Sequence, residues 1–108
     1  MLQDAVLHAL ADSRRRAILR LVRRTELPSG EIADHFPEVT APAISQHLRV
    51  LREAGLVSER RSGTRRLYRA RPEGLRDLRR WVRDFWDDAL DDLKGAVERD
   101  VHDQEPKA

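Results

Sequence analysis

The sequence predicts a mostly α-helical fold with one small β-hairpin and a long C-terminal helix. Three observations carry that prediction. Apolar residues recur at helical spacing in several short segments before residue 55. The period then changes on either side of Ser62–Gly63–Thr64, a hairpin turn signal between two short runs. Beyond Pro72 one helical period continues from about Glu73 to Val101.

The elements follow in order. Leu2–Leu10 is a short amphipathic segment with Leu2, Ala5, Val6, Ala9 and Leu10 on one side. Asp12 or Ser13 caps the next helix, in which Ala17, Ile18, Leu21 and Val22 mark the apolar stripe. Arg14, Arg15, Arg16, Arg20, Arg23 and Arg24 surround it and read as a solvated face, with one near the helix start able to reach a phosphate. Leu27–Pro28 breaks this helix, and Ser29 is placed to cap a third over Gly30–Phe36, burying Ile32, Ala33 and Phe36. Pro37 stops it, because the residue before a proline is driven out of helical geometry. Only Pro37, Glu38 and Val39 then separate it from Thr40.

Thr40–Val57, TAPAISQHLRVLREAGLV, is the most informative stretch. Thr40 can accept an orphan N–H of the first turn, and Pro42 is tolerated there because that turn has no intrahelical partner to lose. Ile44, Leu48 and Leu51 form a single buried stripe, and Gly55 follows the last turn, where a left-handed residue is wanted. The opposite side carries Ala41, Pro42, Ser45, Gln46, Arg49 and Arg52, small at the entrance, polar or cationic beyond it, and without an acid. That distribution suits a helix entering a major groove about 12 Å wide and reading base edges there. Two short helices joined by so few residues, the second with such a face, have helix-turn-helix spacing.

Val57–Ser62 and Arg65–Arg71 are the two strands, with Leu67 and Val57 expected inward and Tyr68 on the face opposite Leu67. Arg60, Arg61, Arg65 and Arg66 crowd the tip. A two-stranded hairpin is marginal alone and must pack on helices. A basic hairpin after a groove-reading helix is a wing, placed to touch phosphates or the minor groove. In the last segment Leu75, Leu78, Val82, Phe85, Trp86, Leu90, Leu93, Val97 and Val101 keep helical period. Twenty-nine residues make about 43 Å, against a radius of gyration of about 13 Å for a compact domain of this size. Such a helix would overhang, and Val82, Phe85, Trp86 and Leu93 would then need a partner, most simply a second copy. Residues 1–101 are expected to form one DNA-binding and dimerising domain, with 102–108 a flexible tail.

Composition narrows the chemistry. The 108 residues include no cysteine, which removes disulfides, zinc–thiolate sites and thiol nucleophiles. No apolar run approaches a membrane span, and no signal-peptide core is visible, so a cytoplasmic protein without membrane association is expected. The net charge of +2 is unevenly spread: residues 1–72 carry +6 and residues 73–108 carry −4. Residues 49–71 alone hold eight arginines against Glu53 and Glu59, an electrostatic footprint for a polyanion. Asp84, Asp87, Asp88, Asp91 and Asp92 lie along a straight helix and read as a solvated face, since carboxylates so arranged do not wrap a cation. His35 is expected to hydrogen-bond locally, and His47 to pack beside the groove-facing surface or reach a phosphate. No nucleophile–base pair, paired-carboxylate site or glycine-rich phosphate loop is visible, so neither catalytic residues nor a metal or other cofactor are assigned.

The order of helices, the AISQHLRVLREAGLV run and the RRSGTRRLYR hairpin together resemble the arsenic-repressor (ArsR) family of winged helix-turn-helix regulators. The resemblance covers the chain from LADSRRRAILRLV (residues 10–22) to the long terminal helix. It implies a homodimer, joined through the first and last helices, that represses transcription from an operator. Leu2 and Val6 would then join Val82, Phe85, Trp86 and Leu93 at the dimer interface. Carried over by position, Ala41, Pro42, Ser45 and Gln46 correspond to the groove-facing residues of the family, with Thr40 at their helix start; Arg49 is added from its charge. The metal-sensing members carry a Cys-x-Cys pair before the recognition helix or Asp/His pairs on the last one. Here EIADHF (31–36) has no cysteine and FWDDALDDLK (85–94) no histidine, so the chain resembles the branch without metal ligands. The expectation is a homodimeric winged helix-turn-helix repressor on double-stranded DNA, reading an inverted repeat through helix 40–54 and wing 57–71. Its effector, if any, is not legible. The competing readings are a protein-interaction module using the acidic, aromatic last helix, and a sensor of a small organic molecule.

Overall fold

The computed structural model describes residues 2–103. They form helices α1 (Asp4–Leu10) and α2 (Ser13–Leu21), strand β1 (Leu27–Pro28), helices α3 (Ser29–Asp34) and α4 (Ala41–Glu53), strands β2 (Val57–Ser62) and β3 (Arg65–Ala70), a 3₁₀ turn (Pro72–Leu75) and helix α5 (Arg76–Asp103). Two compact units result, residues 1–77 and the chain from Leu78 onward. Helix α5 thus runs through His102 and Asp103, which the sequence placed in a tail; residues 104–108 of that tail lie outside the described residues.

In the first unit, α1, α2, α3 and β2 all pack on α4. Ile18, Val22, Ile32, Ile44, Leu48, Leu51, Leu56 and Val57 are fully buried, each stabilising the unit by about 1.5–3 kcal/mol relative to exposure. Val6 and Ala9 of α1 complete this core, whereas Ala5 is exposed.

Local chemistry explains the helix ends. The Asp12 carboxylate accepts from the Arg14 and Arg15 N–H groups at 2.8 and 3.1 Å, capping α2. Those bonds, the one from Arg15 foremost, hold its carboxyl below the ordinary value of 3.8. A carboxyl depressed in the fold contributes stability that is present above its ordinary value and lost as pH falls through the depressed one. Asp12→Ala is therefore expected to cost about 1 kcal/mol at neutral pH, whereas Asp12→Asn retains most of the cap. Melting curves between about pH 5 and pH 2 check the second half: the Asn variant should lose less stability on acidification than the parent. Ser29, expected as a cap, is instead the first residue of α3, with Pro28 at the N-cap and no side-chain cap bond.

Helix α4 ends as Gly55 predicts. Its φ is +77°, the Gly55 N–H donates to the Arg52 carbonyl and the Leu56 N–H to the Leu51 carbonyl, both at 2.9 Å. Two such bonds around a left-handed residue close the last turn. The Gly55 carbonyl then lies against Gly74 of the 3₁₀ turn: a Cβ built on Gly74 would stand 2.3 Å from that oxygen.

The sheet has three strands, not the two expected, in the order β1-β3-β2, all antiparallel. Leu27–Pro28, read as a helix breaker, also pairs with Leu67–Tyr68. Proline is tolerated because β1 is an edge strand and its missing N–H costs no ladder bond. Tyr68 is in the core while Leu67 is only half-buried, the reverse of the facing expected from the sequence. The two-residue turn Gly63–Thr64 pairs Ser62 with Arg65, and hence Val57 with Ala70 and Glu59 with Tyr68. Directly paired residues share a face and alternate residues repeat it. Val57 inward therefore brings Tyr68 inward and turns Leu67 away.

In the second unit α5 is helical throughout. Trp81, Val82, Phe85, Trp86, Leu90, Leu93 and Val97 are between 44% and 61% exposed, and the Trp81 and Phe85 rings stack at 5.5 Å.

Candidate nucleic-acid interface

Helix α4 presents its two sides differently. Ile44, Leu48 and Leu51 are at most 1% exposed, whereas Thr40, Ala41, Pro42, Ser45, Gln46 and Arg49 are all exposed. Thr40 Oγ1 accepts from the Ala43 N–H at 3.3 Å and fixes the first turn, which contains no acidic residue. With the Ala43 N–H capped and Pro42 lacking one, that turn offers the Ala41 N–H and the positive end of the helix dipole to any approaching phosphate. Residues 35–40 join α3 to α4.

The hairpin distributes its arginines over both faces. By register, Arg66 and Arg61 lie on the face of Glu59 and Tyr68, while Arg60 and Arg65 lie on the face of Leu67. Each face has its own carboxylates. Arg60 forks onto both oxygens of Glu26 at 3.1 and 2.5 Å, and Arg65 pairs with Glu31 of α3 at 3.3 Å. Glu59 pairs with Arg66 at 3.2 Å and accepts from Arg52 of α4. Arg49 pairs with Glu53 at 3.1 Å along the helix. The guanidinium of Arg60 is the first cause holding the Glu26 carboxyl below its ordinary value. Burial, then Glu59, raises the Tyr68 phenol. Among the described residues, Arg61 alone of the four wing arginines has no carboxylate partner. Ion pairs with solvated guanidinium groups stabilise the fold little, because water and salt screen them. Phosphates can therefore displace them at modest cost.

Not every arginine placed on the solvated face of α2 is free there. Arg15 Nε donates to the Ala9 carbonyl at 2.8 Å and Nη2 to the His8 carbonyl at 2.9 Å, while Nη1 lies 3.4 Å from His47 Nδ1. Arg16 donates to the Leu10 carbonyl at 2.7 Å. The two side chains satisfy the Ala9 and Leu10 carbonyls at the end of α1 and add a second donor to that of His8, which also accepts from the Ala11 N–H. A readable signal existed: both follow a capping aspartate that forces a tight turn back toward α1. His35 Nδ1 is 2.9 Å from the Glu31 carbonyl, a local contact.

Of the candidate dimer residues, Val82, Phe85, Trp86 and Leu93 are exposed on α5. Leu2 is half-buried, and Val6, at 6% exposure, packs within its own unit's core. Among the described residues no three His, Cys, Asp or Glu side chains converge on a possible metal position. An apolar cavity of about 240 Å³ lies between Leu19, Leu56, Ala70, Pro72 and Leu75, with Arg20, Arg23 and Arg71 at its rim.

A buried-backed helix following a short helix and turn, with an arginine-rich hairpin behind it, defines a winged helix-turn-helix DNA-binding regulator. Residues 12–59 match the family described as bacterial regulatory protein, arsR family, and the chain belongs to that family. It is 47% identical over 87 residues to the HTH-type transcriptional regulator Rv2034 of Mycobacterium tuberculosis, covering 81% of this chain and 80% of the relative. With the transcriptional repressor SdpR of Bacillus subtilis it shares 34% identity over 88 residues, covering 82% and 97%. The solution structure of the homodimeric winged helix-turn-helix DNA-binding domain of Mb0332 from Mycobacterium bovis superimposes with a TM-score of 0.61 at 34% identity, covering 81% of this chain and 80% of that one.

Proposed function

We propose that this regulator is a homodimeric repressor that docks its two copies of α4 in the major grooves of the two half-sites of an inverted-repeat operator. The observation that carries the reading is the exposed side of α4, Thr40 to Arg49, which is free of acids and backed by a fully buried stripe. Thr40, Ala41, Pro42, Ser45, Gln46 and Arg49 face the groove. Gln46 is the principal base reader, because its amide can donate to and accept from adenine together. Arg60, Arg61, Arg65 and Arg66 reach phosphates or the minor groove. Residues 1–101 act as one DNA-binding and dimerising domain, with half-sites about one helical turn, or a multiple of it, apart. The repressor SdpR and the homodimeric Mb0332 domain support repression and dimerisation. The relatives bear regulatory names, and we assign this chain no catalytic role. Among the described residues no helix is long and apolar enough to cross a membrane, and we place the protein with the chromosome in the cytoplasm.

Selection of bound duplexes from a random library tests operator and symmetry together. Convergence on one two-fold symmetric motif is expected; no enrichment over bulk competitor overturns the reading. With that motif in hand, Gln46→Ala should lose about 10–100-fold of discrimination between operator and a scrambled duplex, the worth of one bidentate base contact. Non-specific binding should stay near its original level. Unchanged discrimination by fluorescence anisotropy would remove Gln46 from base readout.

A further inference from the structure

In the free protein carboxylates hold Arg49 and Arg52 of α4 and Arg60, Arg65 and Arg66 of the hairpin, and one of these carboxylates differs from the rest. The Glu59 side chain is 17% exposed, against 27%, 53% and 60% for Glu26, Glu31 and Glu53. Among the described residues it alone joins arginines of two elements: one oxygen accepts from Arg52 of α4, and the other is 3.2 Å from Arg66 of β3. It stands directly across the ladder from Tyr68, whose buried ring fixes that part of the hairpin in the core. A half-enclosed carboxylate between two guanidinium groups cannot swing into water as a surface glutamate can. The three side chains together carry +1 instead of the +2 that two unpaired arginines would present.

Resting on the reading of α4 and the wing as the DNA-binding surface, we infer that Glu59 is a specificity-determining residue. It fixes the spacing of Arg52 and Arg66 and competes with phosphate for both. The competition weakens binding to every duplex alike, because phosphates carry no sequence information. The fixed spacing acts selectively, since only a duplex docked in register with α4 offers phosphates where the two held guanidinium groups already lie. Discrimination is a difference of affinities, so a penalty on all duplexes combined with a gain on one widens it.

The test compares Glu59→Gln, a near-isosteric neutral replacement, with the parent on the library-selected operator and on a scrambled duplex across a salt series. Each additional phosphate neutralised steepens the salt dependence by about 0.9. The variant should therefore bind the scrambled duplex about tenfold more tightly, steepen the slope by about one to two, and lose about tenfold in its operator-to-scrambled ratio. Glu59→Gln combined with Arg66→Gln restores the +1 balance and should return the slope to that of the parent. A folded Glu59→Gln protein with parental slope and ratio overturns the inference. Should that variant melt below the assay temperature, Glu59→Asp, which keeps the charge but shortens its reach, replaces it. A parental slope with a reduced ratio is then the supporting result, and an unchanged ratio overturns the inference. A parent protein that prefers no duplex at all fails earlier, overturning the DNA-binding reading and this inference with it.

Discussion

Replacing Phe85 and Trp86 together with aspartate is expected to leave the protein monomeric and to weaken operator binding by about 10²-fold or more. Both side chains are about 60% exposed on α5 (59% and 61%), within a stripe that continues through Leu90, Leu93 and Val97. An apolar stripe of that extent marks a surface that a partner covers. Two carboxylates in its centre would have to be desolvated without counter-charges in a segment that already holds Asp84, Asp87, Asp88, Asp91 and Asp92. The DNA consequence follows from linkage of the two reading helices. In a dimer the second half-site is met at the high effective concentration set by the first, an advantage of about 10²–10⁴ that a monomer forfeits. Sedimentation velocity and operator titration check the two halves separately. A variant that remains dimeric, or one that is monomeric with undiminished operator affinity, would refute the assignment of α5.

Gly74→Ala is expected to destabilise the N-terminal unit by about 3 kcal/mol, the upper end of the cost of forcing a methyl group into a packed interior. The added Cβ would meet the Gly55 carbonyl oxygen at 2.3 Å and the Leu56 side chain at 3.2 Å. The first obstacle is backbone, and it belongs to a residue at φ +77° that the end of α4 requires. Relief therefore means moving either the helix end or the 3₁₀ turn, and with the latter the Arg71 N–H to Leu56 carbonyl bond of 2.8 Å. A fall of more than 10 °C in melting temperature is the expected reading, at roughly 4–8 °C per kcal/mol for a unit of this size. A fall below about 4 °C, the equivalent of less than 1 kcal/mol, would show that the turn shifts freely.

The features legible in the sequence were those decided within a few residues. The Thr40 cap, the stripe of Ile44, Leu48 and Leu51, and the left-handed Gly55 depend on neighbours no further than one or two turns away. Strand β1 was not legible because two residues, one a proline, have no strand signal of their own. It exists because β3 offers it an edge forty residues later. The inward face of the hairpin was misassigned for a related reason: the length of the turn at Gly63–Thr64, not the hydrophobicity of Leu67, sets which residues accompany Val57. Within the candidate interface, the exposed side of α4 was legible from helical period alone. The pairing of Arg60 with Glu26 and of Arg65 with Glu31, each across 34 positions, was not. Of the ion pairs given above for α4 and the hairpin, only Arg49–Glu53 carried a sequence signature, the spacing of one helical turn.

Arg15 has a mechanical consequence. A guanidinium is a flat, rigid plate whose donors point in fixed directions. This one grips the last carbonyls of α1 with two nitrogens and meets His47 of α4 with a third. Rolling α1 about its axis would tilt that plate and press on the rod that carries Gln46. The orientation of the amino-terminal helix is thus geared to that of α4 through this side chain as well as through the direct packing of the two helices.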